Sequence, residues 1–221
     1  MTGLKFLFRR SFSPLRMGIP ALIGVALLVL VMVFHEPMKA EDYLLCKLMA
    51  HIGTMFVSVF SCVFLSAEMC GTRLIRSSPI SKELRRFSIP VYNIIFGTGV
   101  TVLVNIIYAV FILVTGQDIQ HISDMLIISA PVCAIFTLLG TVSMQITWGM
   151  IVMIYAYIPA ALLLGFVPHT VWESGFGMEL WVALLIYIGA AVVTSVLAFA
   201  ISRIFYKKYD FHAMQQNATA V

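Results

Sequence analysis

The sequence predicts an all-α polytopic membrane protein with six transmembrane helices and an interfacial amphipathic helix ahead of them. Three observations lead there. Of 221 residues, 61% are hydrophobic and 11% charged, whereas a soluble domain carries about 25% charged residues. One soluble core of this size cannot enclose so much apolar surface. The apolar residues gather in runs that reach the roughly 20 residues needed to cross a bilayer. The charges between those runs segregate by sign from one connection to the next.

Residues 1–16 form a separate element. Leu4, Leu7 and Phe8 fall on one helical face at i, i+3 and i+4, with Lys5, Arg9 and Arg10 beside them. Such a helix lies on the inner leaflet with its cations reaching lipid phosphates. Pro14 is expected to end it.

The spans are read at residues 17–34, 48–65, 89–115, 125–142, 149–168 and 180–204. The first follows basic residues but precedes no small-x-small site, so it reads as a retained span and not a cleaved leader. Residues 143–148, Ser-Met-Gln-Ile-Thr-Trp, carry no charge. Residues 125–168 are too long for one crossing, so they read as a tight hairpin. The whole membrane unit is residues 17–208, followed by a tail at 209–221.

Six crossings place both termini on one side. That side collects Lys5, Arg9, Arg10, Arg16, Arg73, Arg76, Lys82, Arg85, Arg86, Arg203, Lys207 and Lys208, while the other has only Lys39 and Lys47. Glu36, Glu41, Asp42, Asp118, Asp124, Glu173 and Glu179 also fall on the other side. The Lys/Arg side is therefore expected to be cytoplasmic. The net charge of +4 is accounted for by anionic lipid at that face, with no nucleic-acid partner.

Soluble-enzyme chemistry finds no foothold. The chain has no Gly-Lys-Ser/Thr phosphate loop, no HExxH and no Gly-x-Ser-x-Gly elbow. His35, His121 and His169 come from different loops, and the four cysteines lack metal-site spacing. Cys46, Cys62, Cys70 and Cys133 read as small packing residues. No metal or cofactor is expected in this chain.

The polar residues within the spans are mild. Thr98, Thr101, Thr137, Thr141, Ser143, Thr194 and Ser195, with Gly97 and Gly99, are the small and hydroxyl residues that let helices approach in lipid. Asn93 and Asn105 place amides in hydrocarbon, where each needs a partner. They face another helix or line a translocation path. Gly175 and Gly177 flank Phe176 before the last span and suggest a break there, although a plain loop has the same composition.

The segment at 68–88 stands apart. It carries Arg73, Arg76, Lys82, Arg85 and Arg86, with Ser78-Pro79 in its middle. Residues 68–75 extend the second helix. Residues 80–88 form a short helix with Ser81 as N-cap, Leu84 and Phe87 on one face and Lys82, Arg85 and Arg86 elsewhere. A loop that only sets topology does not need two structured pieces around a proline. A docking surface does. The residues alone leave both readings open.

Glu68, Gly71, Thr72, Arg73, Leu74, Ser78, Pro79, Ile80, Ser81, Lys82 and Glu83 resemble the second-to-third-span segment of small bacterial type-2 ABC transporter permeases. Ser78 stands where that family usually has a bulky residue. The resemblance extends loosely to the N-terminal amphipathic helix and to the outer break at Gly175–Met178. It implies an exporter permease domain of six spans in the plasma membrane, working with a second identical or related permease copy. Separate cytoplasmic ATP-binding cassette subunits would bind ATP and Mg. It implies coupling roles for Glu68, Arg73, Arg76, Pro79, Lys82 and Arg85, none of them catalytic. The apolar, weakly charged spans suit an amphiphilic substrate: a hydrophobic peptide, a drug or a lipid-like compound. The rivals are a non-transporting membrane assembly or scaffold protein and, less well supplied with polar groups, an enzyme of lipid intermediates.

Overall fold

The computed structural model describes residues 2–11, 22–26, 29–30, 33, 83–145 and 175–208. All regular structure among them is helical. Three helices are long and apolar enough to cross a membrane: Leu84–Thr115, Gln120–Ser143 and Leu180–Phe205. These are the spans expected at 89–115, 125–142 and 180–204. Residues 22–26, 29–30 and 33 are helical within the first expected span. The spans expected at 48–65 and 149–168, the segment 68–82, Pro14 and the tail 209–221 lie outside the described residues.

Helix α1 is Thr2–Ser11. Its expected apolar face is correct, but that face is covered by protein. Leu7 is completely buried in a cluster with Leu84, Ile89, Tyr92, Phe96 and Met144, and Leu4, Phe6 and Phe8 pack against the same cluster. The Phe8 ring meets Tyr92 edge-on with centroids 5.1 Å apart, a favoured aromatic geometry. Lys5 and Arg9 stay exposed. Gly3 sits so close to the next element that a Cβ there would lie 2.7 Å from Ser88 Oγ and 3.1 Å from a Leu84 methyl. Gly3→Val should therefore lower stability by about 1–3 kcal/mol, while Lys5→Ala should change it by less than about 0.5 kcal/mol. Thermal midpoints of the purified variants check this pair, and equal midpoints would show that α1 is not docked.

Helix α2 is Ile89–Thr115, entered through a π-turn at Leu84–Ser88 with no break between them. This corrects the expected face at 80–88. Leu84 is buried, but Phe87 is exposed and its ring lies 6.0 Å from that of Phe199. The wider turn rotates residue 87 away from the face shared by residues three apart in an α-helix. The far end of α2 closes on Gly116 at φ 67°, and Gln117 N–H reaches Ile112 O at 3.1 Å. That is the bonding of a glycine-terminated helix.

Helix α3 is Gln120–Ser143 and returns antiparallel to α2. It starts earlier than the expected 125 because its polar first turn is helical and partly buried. Asp118 Oδ1 accepts Gln120 N–H at 3.0 Å just before it. Helix α4 is Leu180–Lys208. Ser123, near the start of α3, bonds Met178, just before α4. Gln145, just past α3, bonds Ser202 near the end of α4. Helices α3 and α4 are therefore parallel. Gln145 and Gly175 stand at opposite ends of the bundle, the parity required if residues 149–168 cross.

The faces are sorted inside out. On α2, Asn93, Gly97, Thr101 and Asn105 recur every four residues on the buried side, while Ile95, Val102, Leu103, Ile106, Val110 and Leu113 are exposed. Lipid tails solvate the outer leucines, so burial selects small and polar residues. Helix α3 is central: 61% of its most apolar stretch is buried, against 33% for the span containing α2 and 17% for α4. Among the described side chains, Lys5, Arg9, Arg85, Arg86 and Arg203 lie at one end of this bundle with one carboxylate, Glu83, and Asp118, Asp124 and Glu179 lie at the other.

Candidate functional site

The basic end carries a connected junction among the described residues. Four pieces meet there: α1, the π-turn, the residues after α3, and α4. Leu84 is buried under Leu7 and Met144. Arg85 is half-buried, so its side chain is only partly on the exposed surface. Its Nη1 donates to Gln145 O at 3.5 Å, and Gln145 Nε2 donates back to Arg85 O at 2.6 Å. Gln145 Nε2 also donates to the Ser202 hydroxyl at 3.2 Å. One amide thus joins the entry of α2 to α4. The reason is local: Met144 and Gln145 form a tight turn on the end of α3, with Gln145 N–H to Val142 O at 3.0 Å, which points both side chains back into the bundle. Arg86 remains exposed.

Of the residues expected to couple to a partner, Arg85 alone lies among the described residues. Glu68, Arg73, Arg76, Pro79 and Lys82 fall outside them. Asn93 sits one layer deeper. Its Nδ2 donates to Ile89 O at 3.0 Å and lies 3.7 Å from Met144 Sδ.

Asn105 lies about 15 Å along α2 from Thr115, near mid-membrane depth. It faces α3, where Ser129 Oγ reaches Asn105 Oδ1 at 2.9 Å, and its Nδ2 is buried with no hydrogen-bond partner. Ser129 Oγ also reaches Met125 O at 2.7 Å. Between the two asparagines, Thr101 Oγ1 and Tyr187 OH are 2.7 Å apart and tie α2 to α4. Thr98 Oγ1 and Cys133 Sγ, 3.7 Å apart, tie α2 to α3. Each interhelical bond in lipid contributes on the order of 0.6 kcal/mol. The amides thus belong to a polar seam running along the three-helix interface.

The opposite end has its own fixture. Residues 175–179 are non-helical, and Gly175 and Gly177 have φ of 75° and 62°. A non-helical stretch is therefore present ahead of α4, in the form that a break and a plain loop share. Asp124, completely buried, accepts Phe176 N–H at 2.9 Å through Oδ1. Gln120 turns its amide oxygen to Gly177 N–H at 3.1 Å and Met178 N–H at 3.2 Å. Ser123 Oγ donates to Met178 O at 2.6 Å. The first turn of α3 therefore grips the entry to α4. The Trp181 indole bonds the Glu179 carboxylate at the exposed rim.

Gln145, Tyr187 and Asp124 were not singled out by sequence as contact-forming residues. Asp124 read as loop acid because four polar residues precede an apolar run. Gln145 had one signal: it is the most polar residue in an uncharged connection. Tyr187 had none. No group of His, Cys, Asp and Glu among the described residues is arranged to hold a metal ion. The chain matches no family model, no curated protein and no solved structure.

Proposed function

We propose that this chain is the membrane permease subunit of an ATP-driven exporter. It acts with separate cytoplasmic ATP-binding cassette subunits and with a second permease copy, identical or related. It sits in a bacterial plasma membrane with both termini cytoplasmic and anionic lipid at its basic face. Its substrate is an amphiphile: a hydrophobic peptide, a drug or a lipid-like compound. ATP and Mg belong to the partner. This chain supplies the path and the lever.

One observation carries the reading. The last six residues of the basic segment, 83–88, run into α2 without a break, since residues 83–115 are one continuous helix. Force applied at Arg85 is then delivered to a membrane-crossing rod and not to a slack loop. The junction with α1, Gln145 and Ser202 spreads that force into the neighbouring helices. Rearrangement of packed, bistable helix sets is how such force becomes transport. Glu68, Arg73, Arg76, Pro79, Lys82 and Arg85 are the proposed contact and coupling residues. Asn93 and Asn105 border the path if the α2–α3 seam parts during the cycle.

The test is copurification after orientation is fixed. A cysteine at Asp118 should react with an impermeant thiol reagent from outside, and one at Lys82 only after permeabilisation. The isolated chain should hydrolyse no ATP. The chain isolated from its native membrane should carry a stoichiometric ATPase whose turnover responds to substrate. The Lys82→Ala/Arg85→Ala variant should insert in the same orientation and lose that ATPase. A stable ATPase-free complex of the parent, or ATP hydrolysis by the pure chain, would sink the proposal in favour of a scaffold or an enzyme.

A further inference from the structure

Phe87 is 52% exposed even though its ring lies 6.0 Å from that of Phe199 on α4. The π-turn has rotated it out of the bundle, against the neighbouring helix. An exposed aromatic pair near the ends of two spans belongs at the boundary between headgroups and hydrocarbon. Each ring has an exposed arginine on its outer side. Arg86 adjoins Phe87, and Arg203 lies one turn beyond Phe199 on the same side of α4. The two helices are antiparallel, since Phe87 meets Phe199 and Thr101 meets Tyr187. Both arginines therefore stand nearer the helix ends than the rings do. One nitrogen, Gln145 Nε2, reaches Arg85 O at 2.6 Å and Ser202 Oγ at 3.2 Å, so the residues preceding the two arginines are held together. Among the described residues neither Arg86 nor Arg203 has a hydrogen-bond or ion-pair partner, and Glu83, the one described carboxylate at this end, pairs with neither. Inward of the rings, Val91 on α2 is half-buried and Val196 on α4 is exposed. The boundary is thus graded along the helix axis, with cations outermost, rings next and aliphatic side chains deepest.

We propose that this α2–α4 boundary seats one anionic phospholipid of the surrounding leaflet, with its phosphate at Arg86 and Arg203 and its first methylenes against Phe87 and Phe199. The seat deepens the anionic-lipid partner named above and rests on that membrane placement of the basic end, not on any ATPase. The chemistry selects this occupant by elimination. A free phosphate would meet the cations but leave the rings uncovered. A zwitterionic lipid would cover the rings but bring its own cation to two guanidiniums. An anionic lipid satisfies both levels in the order the helices present them, and each basic side chain adds to its hold.

The full chain in a neutral maltoside detergent tests the seat by titration, with the thermal midpoint reporting what binds the folded state. Phosphatidylglycerol should raise the midpoint saturably. Phosphatidylcholine at the same mole fraction and inorganic phosphate at the same concentration should raise it far less. The Arg86→Gln/Arg203→Gln variant should keep the lipid-free midpoint, because both side chains are exposed. Its half-saturating phosphatidylglycerol should rise about 25-fold, roughly fivefold per arginine. Lys5→Gln/Arg9→Gln removes the same charge from the exposed face of α1 at the same end, and should shift half-saturation by less than about twofold. An equal shift in the two double variants would overturn the seat, leaving only diffuse attraction to a basic face. A response to phosphate or to phosphatidylcholine as large as that to phosphatidylglycerol would also overturn it. No response to any of the three would overturn it and leave the boundary to a protein partner. Thiol labelling at Asp118 reads the membrane placement separately, so an inverted chain would withdraw that placement while the titration still decides the seat.

Discussion

Gly175→Ala should cost about 3 kcal/mol or more, and Gly177→Ala about 1–2 kcal/mol. Both glycines have positive φ, 75° and 62°, so both alanines bear the left-handed penalty of roughly 1–2 kcal/mol. They differ in what the new methyl meets. At Gly177 there is nothing within 4 Å, whereas at Gly175 the added Cβ would lie 2.4 Å from Asp124 Oδ2 and 3.1 Å from its Cγ. The carboxyl cannot simply turn aside, because its other oxygen holds Phe176 N–H at 2.9 Å. Moving it adds an overpacking cost of about 1–3 kcal/mol and the loss of a buried bond of about 1–3 kcal/mol. At roughly 2–4 °C per kcal/mol, the two variants should separate clearly in thermal midpoint. Asp124→Ala removes the clashing group, so in the Gly175→Ala background it should restore part of the loss. Equal midpoints for the two glycine variants would mean that Asp124 does not grip this segment.

That fixture shows where sequence reasoning reached and where it stopped. Glycines around Phe176 were enough to expect a non-helical stretch, because glycine tolerates positive φ. The grip by Gln120, Ser123 and Asp124 was not legible, since it joins residues about fifty positions apart and no periodicity records such a pairing. The spans at α2 and α4 were legible nearly to the residue, because length and hydropathy are local properties. The start of α3 was missed by several residues for a physical reason. A polar first turn looks like a loop when its partner strand of chain is not in view. The apolar face of α1 was legible at i, i+3 and i+4, but its cover was not. A helix that suits a lipid surface also suits Leu84, Tyr92 and Met144.

The basic end shows the same division at the level of function. Charge alone marks Lys82, Arg85 and Arg86 as one group. The structure separates at least two of them: Arg86 is exposed, while Arg85 is half-buried and bonded to Gln145. An exposed cation can be removed at a cost of a few tenths of a kcal/mol, but one in a reciprocal bond takes the bond with it. Arg85 is therefore also a packing contact between the entry of α2 and Gln145 after α3.

Gly97→Leu should cost about 3 kcal/mol or more, and Gly99→Leu should cost nothing or stabilise by up to about 1 kcal/mol. The two glycines are two residues apart on α2 and therefore sit on different faces. At Gly97 an added Cβ would lie 2.7 Å from Thr137 Oγ1, with Thr137 N at 3.7 Å and Phe136 Cβ at 3.8 Å, while at Gly99 nothing lies within 4 Å. Thr137 offers little relief. Its hydroxyl has no hydrogen-bond partner to lose, but rotating a β-branched side chain in a helix brings its methyl toward the place the hydroxyl leaves. The rest of a leucine would then meet α3 backbone, so α2 and α3 must separate. Separation would stretch the Asn105–Ser129 and Thr98–Cys133 contacts on the same face, adding to the loss at about 0.6 kcal/mol per bond. Gly99 points outward, where leucine is a better helix former than glycine and meets only lipid. Thermal midpoints of the two variants in detergent check the difference. If the exporter reading holds, transport in proteoliposomes should be lost with Gly97→Leu and kept with Gly99→Leu. A Gly99→Leu variant as damaged as Gly97→Leu would show that the second face is also packed against protein, and would overturn the assignment of that face to lipid.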